Sequence, residues 1–161
     1  MSKKICVVMG SKSDLEAVRG GIDILKEFKA EFEVRVLSAH RTPKELTKYV
    51  EACSKNGAKV FIAAAGGAAA LAGVIAAHTT FPVIGIPIES SSLKGLDSLL
   101  STVQMPAGIP VASMAIGSAG AKNAAIFALE ILGSNDKKIG SQLGRYRQDM
   151  KAKVTKIRIK L

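Results

Sequence analysis

Residues 4–14, which read KICVVMGSKSD, set the architecture of this chain. Lys4 to Met9 is a short apolar run that stops at Gly10, as is typical of a strand buried in a parallel sheet. Small and hydroxyl-bearing residues then lead into Leu15 to Phe28, where apolar residues recur at helical spacing. The segment therefore predicts a strand, a tight turn and a helix, which is the repeating unit of an α/β protein.

The same unit recurs along the whole chain. Further strands are predicted at Phe32 to Leu37, Lys59 to Ala65, Pro82 to Ile88 and Val111 to Ile116, and further helices at Pro43 to Asn56, Gly67 to Thr79, Ala121 to Leu132 and Asp136 to about Ile157. Strands that alternate with helices imply right-handed crossovers and a sheet covered on both faces. We predict a three-layer α/β sandwich with a central parallel sheet of about five strands, flavodoxin- or Rossmann-like, plus a C-terminal helix. Since no repeat or linker divides the chain, residues 1–161 are predicted to form one domain, with 136–161 as a polar last helix.

Composition narrows the class of protein. Of the 161 residues, 48% are hydrophobic and 22% are charged, which argues against disorder and coiled coil. The longest apolar region, residues 60–77, is broken by three glycines, so it predicts no membrane span. The basic N-terminus is not followed by a cleavage-type segment. We therefore expect a cytoplasmic protein without a membrane partner.

The net charge of +10 raises the possibility of a nucleic-acid partner or an anionic substrate. Only Tyr146 interleaves with the basic residues of the tail, which argues against a platform for stacking bases. A solvated helix face explains these charges better, and we predict no nucleic-acid partner. A basic nucleotide- or RNA-binding module remains the alternative from another class. The basic tail residues are Lys137, Lys138, Arg145, Arg147, Lys151, Lys153, Lys156, Arg158 and Lys160.

The cysteines and histidines predict no metal or cofactor. Cys6 falls in a predicted strand and Cys53 in a predicted helix, and the two histidines, His40 and His78, are also far apart in the sequence. We interpret the cysteines as buried free thiols rather than as a disulfide or a ligand set. A serine hydrolase is not supported either, because GxSxG is missing and no acid partner for His40 is evident.

Four loops follow the predicted strands, and each is rich in Gly, Ser or Ala. They read MGSKSD (9–14), LSAHRTP (37–43), AAAGGAAALAG (63–73) and IPIESSSLKGLDS (86–98). In open α/β sheets a ligand binds beyond the carboxyl ends of the strands, and small residues let it approach the backbone. We therefore predict a ligand site at this edge. In the fourth loop, Ser90, Ser91, Ser92 and Asp97 are interpreted as turn and cap residues.

The second loop carries the strongest chemical signal. Histidine side chains ordinarily exchange protons near neutral pH, so a histidine at this edge, His40, can carry a proton to and from a substrate. Arg41 offers a fixed charge and planar donors suited to phosphate or carboxylate. A surface histidine that caps a turn is the alternative, but the other loops at the same edge favour function. His78, near the end of the third helix, is interpreted as structural or exposed.

The first and third loops each allow two interpretations. Gly10 to Asp14 could hold a phosphate at a helix N-terminus, with Asp14 accepting hydrogen bonds from ligand hydroxyls, or could be a simple N-cap by Ser13 or Asp14. The segment matches neither GxGxxG nor a P-loop, so dinucleotides and ATP lack support. Gly66 to Ala70 could let a flat ring lie against the backbone, or could merely pack closely against a neighbouring helix.

The motifs together resemble the class I PurE family from Lys4 to about Asp136. They are VVMGSKSD, VLSAHRTP, AGGAA, IGIPI, GLDSLLSTVQMPAGIPVA and AGAKNAA, in the family's order. That family is 5-(carboxyamino)imidazole ribonucleotide mutase, the catalytic subunit of phosphoribosylaminoimidazole carboxylase, in de novo purine (IMP) biosynthesis. The resemblance implies an isomerase that makes 4-carboxy-5-aminoimidazole ribonucleotide without ATP, metal or cofactor, by decarboxylation and recarboxylation with carbon dioxide as intermediate.

The resemblance also implies roles for individual residues. His40 matches the family's proton-shuttling histidine, and Arg41 matches the arginine that contacts the 5′-phosphate. The implied substrate-binding residues are Ser11, Asp14, Ser38, Ala39, Arg41, Gly66, Gly67 and Ala68. The last three match the loop beside the imidazole and the carbon dioxide. The family is commonly a homo-octamer whose C-terminal helix packs on a neighbouring subunit.

One loop departs from the family's pattern. The family usually reads GGAAHLPG where residues 66–73 read GGAAALAG, so Ala70 replaces a histidine and Ala72 a proline. A weakened relative is therefore one alternative. Another is a direct carboxylase of aminoimidazole ribonucleotide, the class II activity, although the family's class II motifs SAHKT and GRSN differ from residues 38–42 and 66–69 here. A third is a carboxylase or decarboxylase acting on another anionic ring.

Overall fold

The computed structural model describes residues 4–159, which fold into strands and helices that alternate along the chain. The strands are β1 (Ile5–Met9), β2 (Phe32–Val36), β3 (Val60–Gly66), β4 (Val83–Ile88) and β5 (Ala112–Ser113). The helices are α1 (Leu15–Glu27), α2 (Pro43–Lys55), α3 (Leu71–Ala77), α4 (Leu96–Val103), α5 (Gly117–Gly133) and α6 (Lys137–Thr155), and a 3₁₀ turn (Lys12–Asp14) precedes α1.

The five strands form one parallel sheet in the order β2-β1-β3-β4-β5. Met9 at the end of β1 pairs with Val36, the last residue of β2, and with Ala64 of β3, which continues for two more residues to Gly66. The three strands therefore end close together at one edge. The strand order reverses between β1 and β3, which is where ligands bind in open α/β sheets. The predicted α/β sandwich with a five-stranded parallel sheet is confirmed.

The alternation of side chains along β1 divides the core into two layers. Ile5, Val7 and Met9 face α1 and α5, whereas Cys6 and Val8 face α2 and α3. All five residues are buried, because successive strand side chains point to opposite faces and both faces are covered by helices.

Helix α4 is not predicted by the sequence, which indicates a loop over residues 86–98. The usual pattern of buried apolar and exposed polar side chains is reversed in this helix: Ser98 and Thr102 are buried, while Leu96 and Leu100 are about half exposed. The buried hydroxyls are satisfied, since Ser98 Oγ donates to the carbonyl of Ile88 at 2.7 Å and Thr102 Oγ1 donates to the carbonyl of Ser98 at 2.7 Å. The apolar residues of this helix therefore face away from the core, so their spacing does not identify a helix with a buried apolar face.

Several predicted boundaries also need correction. α3 begins at Leu71 instead of Gly67, because positive φ angles at Gly67 (64°) and Ala69 (38°) interrupt the right-handed helix there. β5 contains only Ala112–Ser113 of the predicted residues 111–116, and α5 begins at Gly117, four residues early.

Helix α6 is anchored at one end and exposed along the rest. Leu143 is buried against the α1–α5 layer, and Tyr146 packs edge-on against Phe28 with ring centroids 5.8 Å apart. The basic residues of the tail are exposed as far as Arg158, as expected of a solvated face; Lys160 lies outside the described residues. Within residues 4–159, no helix combines the length and the hydropathy needed to cross a bilayer.

Candidate active site

A cavity of about 360 Å³ opens at the carboxyl edge of the sheet, where the strand order reverses. It lies among the loops that follow β1, β2 and β3, and three of the four predicted loops therefore meet there. The residues that line it are Gly10, Ser11, Asp14, Ser38, Ala39, His40, Arg41, Ala65, Gly66, Ala69, Ala70 and Leu71.

The loop after β1 is held by a capping box. Ser11 Oγ accepts a hydrogen bond from the backbone N–H of Ser13 at 3.3 Å, and Asp14 Oδ2 accepts one from the backbone N–H of Ser11 at 3.0 Å. Ser11 is therefore the residue whose side chain caps this segment. Asp14 stands at the N-cap position of α1, as predicted, but its side chain makes no cap hydrogen bond there, and the predicted cap by Ser13 is wrong. Because the 3₁₀ turn precedes α1, the helical segment begins one turn earlier in the chain than α1 does, and Ser11 occupies its cap position.

Asp14 is the one carboxylate among the residues that line the cavity, and only 8% of its surface is exposed. Burial raises the pKa of this carboxyl above its ordinary value of 3.8, while the hydrogen bonds from Ser11 and Ser13 and the charge of Arg41 act in the opposite direction. A buried carboxyl in a cavity of this kind can accept hydrogen bonds from ligand hydroxyls.

The loop after β2 is fixed by its own hydroxyl groups. Thr42 Oγ1 accepts from the N–H of Ser38 at 2.9 Å and donates to the carbonyl of Ser38 at 3.1 Å. Ser38 Oγ in turn accepts from the N–H groups of His40 at 3.3 Å and Arg41 at 3.1 Å. Pro43 then begins α2, as predicted. The backbone that carries His40 and Arg41 is thus held rigidly while both side chains stay exposed.

Arg41 connects the first two loops. Its Nη2 donates to the carbonyl of Gly10 at 2.8 Å, although the two residues are far apart in the sequence. This bond uses one of the five N–H donors of a guanidinium, so others remain for an anion in the cavity. It also holds the positive charge close enough to Asp14 to influence the pKa of that carboxyl.

The loop after β3 presents small residues to the cavity. The N–H of Ala69 donates to the carbonyl of Gly66 at 3.3 Å, which closes a tight turn. Ala69 and Ala70 line the cavity, whereas Gly67 and Ala68 stand outside its lining. Ala70 therefore faces the cavity at the position where the family resemblance expects a histidine.

The structure brings seven of the nine predicted site residues to one cavity: Ser11, Asp14, Ser38, Ala39, His40, Arg41 and Gly66. Gly67 and Ala68 lie at the tip of the third loop instead. Gly10, Ala69 and Ala70 fall within the candidate binding loops of the sequence analysis without being named as individual site residues, whereas Ala65 and Leu71 have no predicted role. Their small or apolar side chains carry no chemical signal of their own.

The fourth loop and the second histidine lie away from this cavity. Ser90 Oγ donates to Asp97 Oδ1 at 2.8 Å, and that hydrogen bond lowers the pKa of Asp97. Asp97 also accepts from the N–H of Ser98 at 2.9 Å, but it lies within the first turn of α4, whose N-cap is Gly95 without a side-chain cap hydrogen bond, so the cap role expected for Asp97 is wrong. His78 is exposed, and its Nε2 lies 3.4 Å from Thr47 Oγ1.

The expectation that the two cysteines are separated is wrong. β1 and α2 pack face to face, so the sulfur atoms of Cys6 and Cys53 and a carboxylate oxygen of Glu33 all lie within 4.8 Å of one another. Both thiols are free; Cys6 is buried and Cys53 is half-buried. Burial raises the pKa of the Cys6 thiol to about 12.

The fold and the cavity define an α/β protein with a cavity, lined by a histidine, an arginine and a carboxyl, at the switch point of its sheet. The family model described as AIR carboxylase matches residues 4–153. The chain belongs to this family, and the resemblance found from its motifs is confirmed.

Named relatives match over almost the whole chain. The N5-carboxyaminoimidazole ribonucleotide mutase of Saccharolobus solfataricus is 50% identical over 97% of this chain and 98% of the relative. The mutase of the same name from Bacillus subtilis is 47% identical over 96% of this chain and 95% of the relative. The crystal structure of Treponema denticola PurE superposes with a TM-score of 0.85 at 29% identity, covering 94% of this chain and 93% of that one.

We expect the buried carboxyl of Asp14 to make stability depend on pH in one direction. Because the pKa of Asp14 is raised above 3.8 by burial, the folded protein retains a proton that the unfolded chain has released just above that pH. The stability contributed by this group is therefore fully present below pH 3.8 and is lost as the pH rises through the folded pKa.

Denaturant unfolding of the wild-type protein and of Asp14→Asn, from about pH 3 to about pH 7, measures this contribution. Asp149→Asn, which removes an exposed carboxylate of α6, is the control. A wild-type advantage over Asp14→Asn that grows as the pH rises would contradict the assignment.

Proposed function

We propose that this protein is a 5-(carboxyamino)imidazole ribonucleotide mutase of de novo purine biosynthesis. The relatives that carry this name at about 50% identity support the function predicted from the sequence. The observation that carries the proposal is the position of His40 and Arg41, which share one cavity with Asp14 and a loop of small residues. The reaction uses neither ATP nor a metal.

Arg41 and the loop after β1 bind the substrate in this proposal. The ribonucleotide carries a 5′-phosphate, and Arg41 offers it a permanent charge with N–H donors that the Gly10 carbonyl leaves free. Asp14 and Ser11 lie on the same wall of the cavity. Asp14 accepts hydrogen bonds from hydroxyls of the ribose, and the Ser11 hydroxyl can accept from them or donate to them. Since Asp14 is buried, its partner hydroxyl is shielded from competing water.

The loop after β3 holds the reacting ring and the intermediate. The carbamate C–N bond breaks to give carbon dioxide and the free amine, and the ring carbon then attacks the carbon dioxide to form the new C–C bond. Gly66, Ala69 and Ala70 leave room for a small apolar molecule beside the ring. Keeping the gas next to the ring carbon supplies on the order of several kcal/mol through effective molarity.

His40 moves the protons that this sequence of steps requires. The departing nitrogen gains a proton as the carbamate breaks, and the ring carbon loses a proton after the new bond forms. One imidazole in contact with both atoms can give the first and take the second. The hydroxyl-fixed loop from Ser38 to Thr42 supports this role, because it holds the backbone of His40 while the side chain stays accessible.

Turnover with two substrates tests the proposal. Purified protein is expected to convert 5-(carboxyamino)imidazole ribonucleotide without ATP, metal or added bicarbonate. A parallel reaction contains aminoimidazole ribonucleotide with excess bicarbonate. Product from the second substrate alone would make the protein a direct carboxylase. No turnover of either substrate, with the ligand still bound, would make it a weakened relative in which Ala70 matters.

Replacing His40 is expected to abolish turnover and leave the fold intact. General acid–base groups contribute about 10²- to 10⁴-fold to rate, so His40→Asn is expected to lose at least that factor in kcat. Because the side chain is exposed, circular dichroism and thermal unfolding are expected to stay unchanged. His78→Asn, which removes the other exposed histidine, is the matched control. Retained activity in His40→Asn would assign the proton transfer to another group.

We also propose that the protein acts in the cytoplasm as a single-domain subunit of a homo-octamer. Apolar side chains left exposed on two helices support self-association: Leu100 and Val103 on α4, and Met150 and Val154 on α6. Helix α6 contacts its own chain mainly through its first half, so its outer half is available to a neighbouring subunit.

Light scattering measures the assembly directly. We expect a mass about eight times the 16.8 kDa of the chain. Val154→Glu is expected to lower this mass, because a charge placed in an apolar contact costs several kcal/mol. Lys151→Glu, an exposed change on the same helix, is the control. A wild-type protein that stays monomeric at all concentrations would exclude the octamer.

A further inference from the structure

A second cluster of reactive side chains lies on the α2 side of the sheet, away from the catalytic cavity. Cys6 in β1 and Glu33 in β2 stand opposite each other in the parallel register, and Cys53 reaches them from α2. Their sulfur and carboxylate oxygen atoms lie within 4.8 Å of one another. None of these residues lines the cavity described above.

The spacing of this cluster suits a single tetrahedral ion. Zinc binds thiolate sulfur at about 2.3 Å and carboxylate oxygen at about 2.0 Å, so a tetrahedral angle places the sulfur and the oxygen about 3.5 Å apart. Cys53 Sγ lies 3.5 Å from Glu33 Oε1. This pair therefore already stands at the separation that the ion requires, and the sulfur of Cys6 lies within 4.8 Å of both atoms.

Two further residues support the cluster as a binding site. Tyr49 precedes Cys53 by one helical turn, and its hydroxyl donates to Glu33 Oε1 at 2.9 Å. Carboxylates that bind metals are commonly oriented by a hydrogen bond of this type. The guanidinium of Arg35 lies 5.7 Å from the centre of the Tyr49 ring, where it offsets negative charge.

We propose that Cys6, Cys53 and Glu33 bind a thiophilic divalent cation of the zinc class, with Tyr49 positioning the carboxylate of Glu33. Two sulfur ligands favour zinc over calcium or magnesium, which prefer oxygen alone. Binding releases one proton from each thiol to solvent, and water supplies the fourth ligand. The ion reaches Cys6, which is fully buried, past the half-buried Cys53 and Glu33.

The bound ion has a structural effect in this proposal. It connects α2 to β1 and β2, and the loops that carry Asp14 and His40 begin at the far ends of these two strands. A ligand that binds only the folded state stabilises it by mass action. The proposed site therefore stabilises the protein without taking part in the reaction at the cavity.

Cobalt is the spectroscopic probe for this site. Reduced, metal-free protein titrated with Co²⁺ is expected to develop sulfur-to-cobalt charge-transfer absorption and the visible bands of tetrahedral cobalt, saturating at one ion per chain. Added Zn²⁺ is expected to abolish both signals and to raise the unfolding temperature. Absence of the charge-transfer absorption would overturn the proposal.

Variants assign the ligands. Cys53→Ser and Glu33→Gln are expected to lose the tetrahedral cobalt spectrum while keeping mutase turnover, and Glu51→Gln, an exposed change on the same helix, is expected to bind like wild type. Tyr49→Phe is expected to keep the spectrum but to weaken affinity about tenfold, as found for groups that orient metal ligands.

Two results would contradict this assignment of ligands. A cobalt spectrum that survives in Cys53→Ser would place the ion elsewhere. Formation of a Cys6–Cys53 disulfide with added hydrogen peroxide, in a reduced protein that binds neither Co²⁺ nor Zn²⁺, would instead make the cluster a redox pair.

Discussion

The parallel pairing of β1 with both of its neighbours is the constraint on which the rest of the structure depends. β1 exchanges backbone hydrogen bonds with β2 on one side and β3 on the other, and its five side chains are buried on two faces. A one-residue slip would send Ile5, Val7 and Met9 to the wrong layer, so the register is strongly specified. That register brings the carboxyl ends of three strands to within two residues of one level, which is why their loops share a cavity.

The loops at this edge are held by short hydroxyl side chains. Ser11 closes the capping box after β1, and Ser38 and Thr42 satisfy the backbone after β2. These bonds leave His40 and Arg41 accessible on a fixed backbone, because the polar groups of the main chain are already paired. The proposed chemistry uses a site whose backbone is held by hydrogen bonds and whose loop after β3 carries only small side chains. Such a site suits a reaction that must retain carbon dioxide.

The same alternation that builds the catalytic edge also creates the thiol cluster. Since Val7 faces α1 and α5, its neighbour Cys6 must face α2, where Cys53 and Tyr49 occupy one side of the helix. Glu33 is drawn into this cluster by its register opposite Cys6. The two ends of β1 thus carry different chemistry. Groups proposed to transfer protons and bind an anion lie at the carboxyl end, and the proposed sulfur ligands lie near the amino end.

The sequence by itself determined the order of strands and helices, the family, and the loop that carries His40 and Arg41, because these depend on local periodicity and on contiguous motifs. It could not find α4, whose polar Ser98 and Thr102 point inward. Only the tertiary structure decided that Ala69 and Ala70, not Gly67 and Ala68, line the cavity, since positive φ angles turn that loop. Only it brought Cys6, Glu33 and Cys53 together, because contacts between a strand and a helix distant in sequence depend on packing and leave no local pattern.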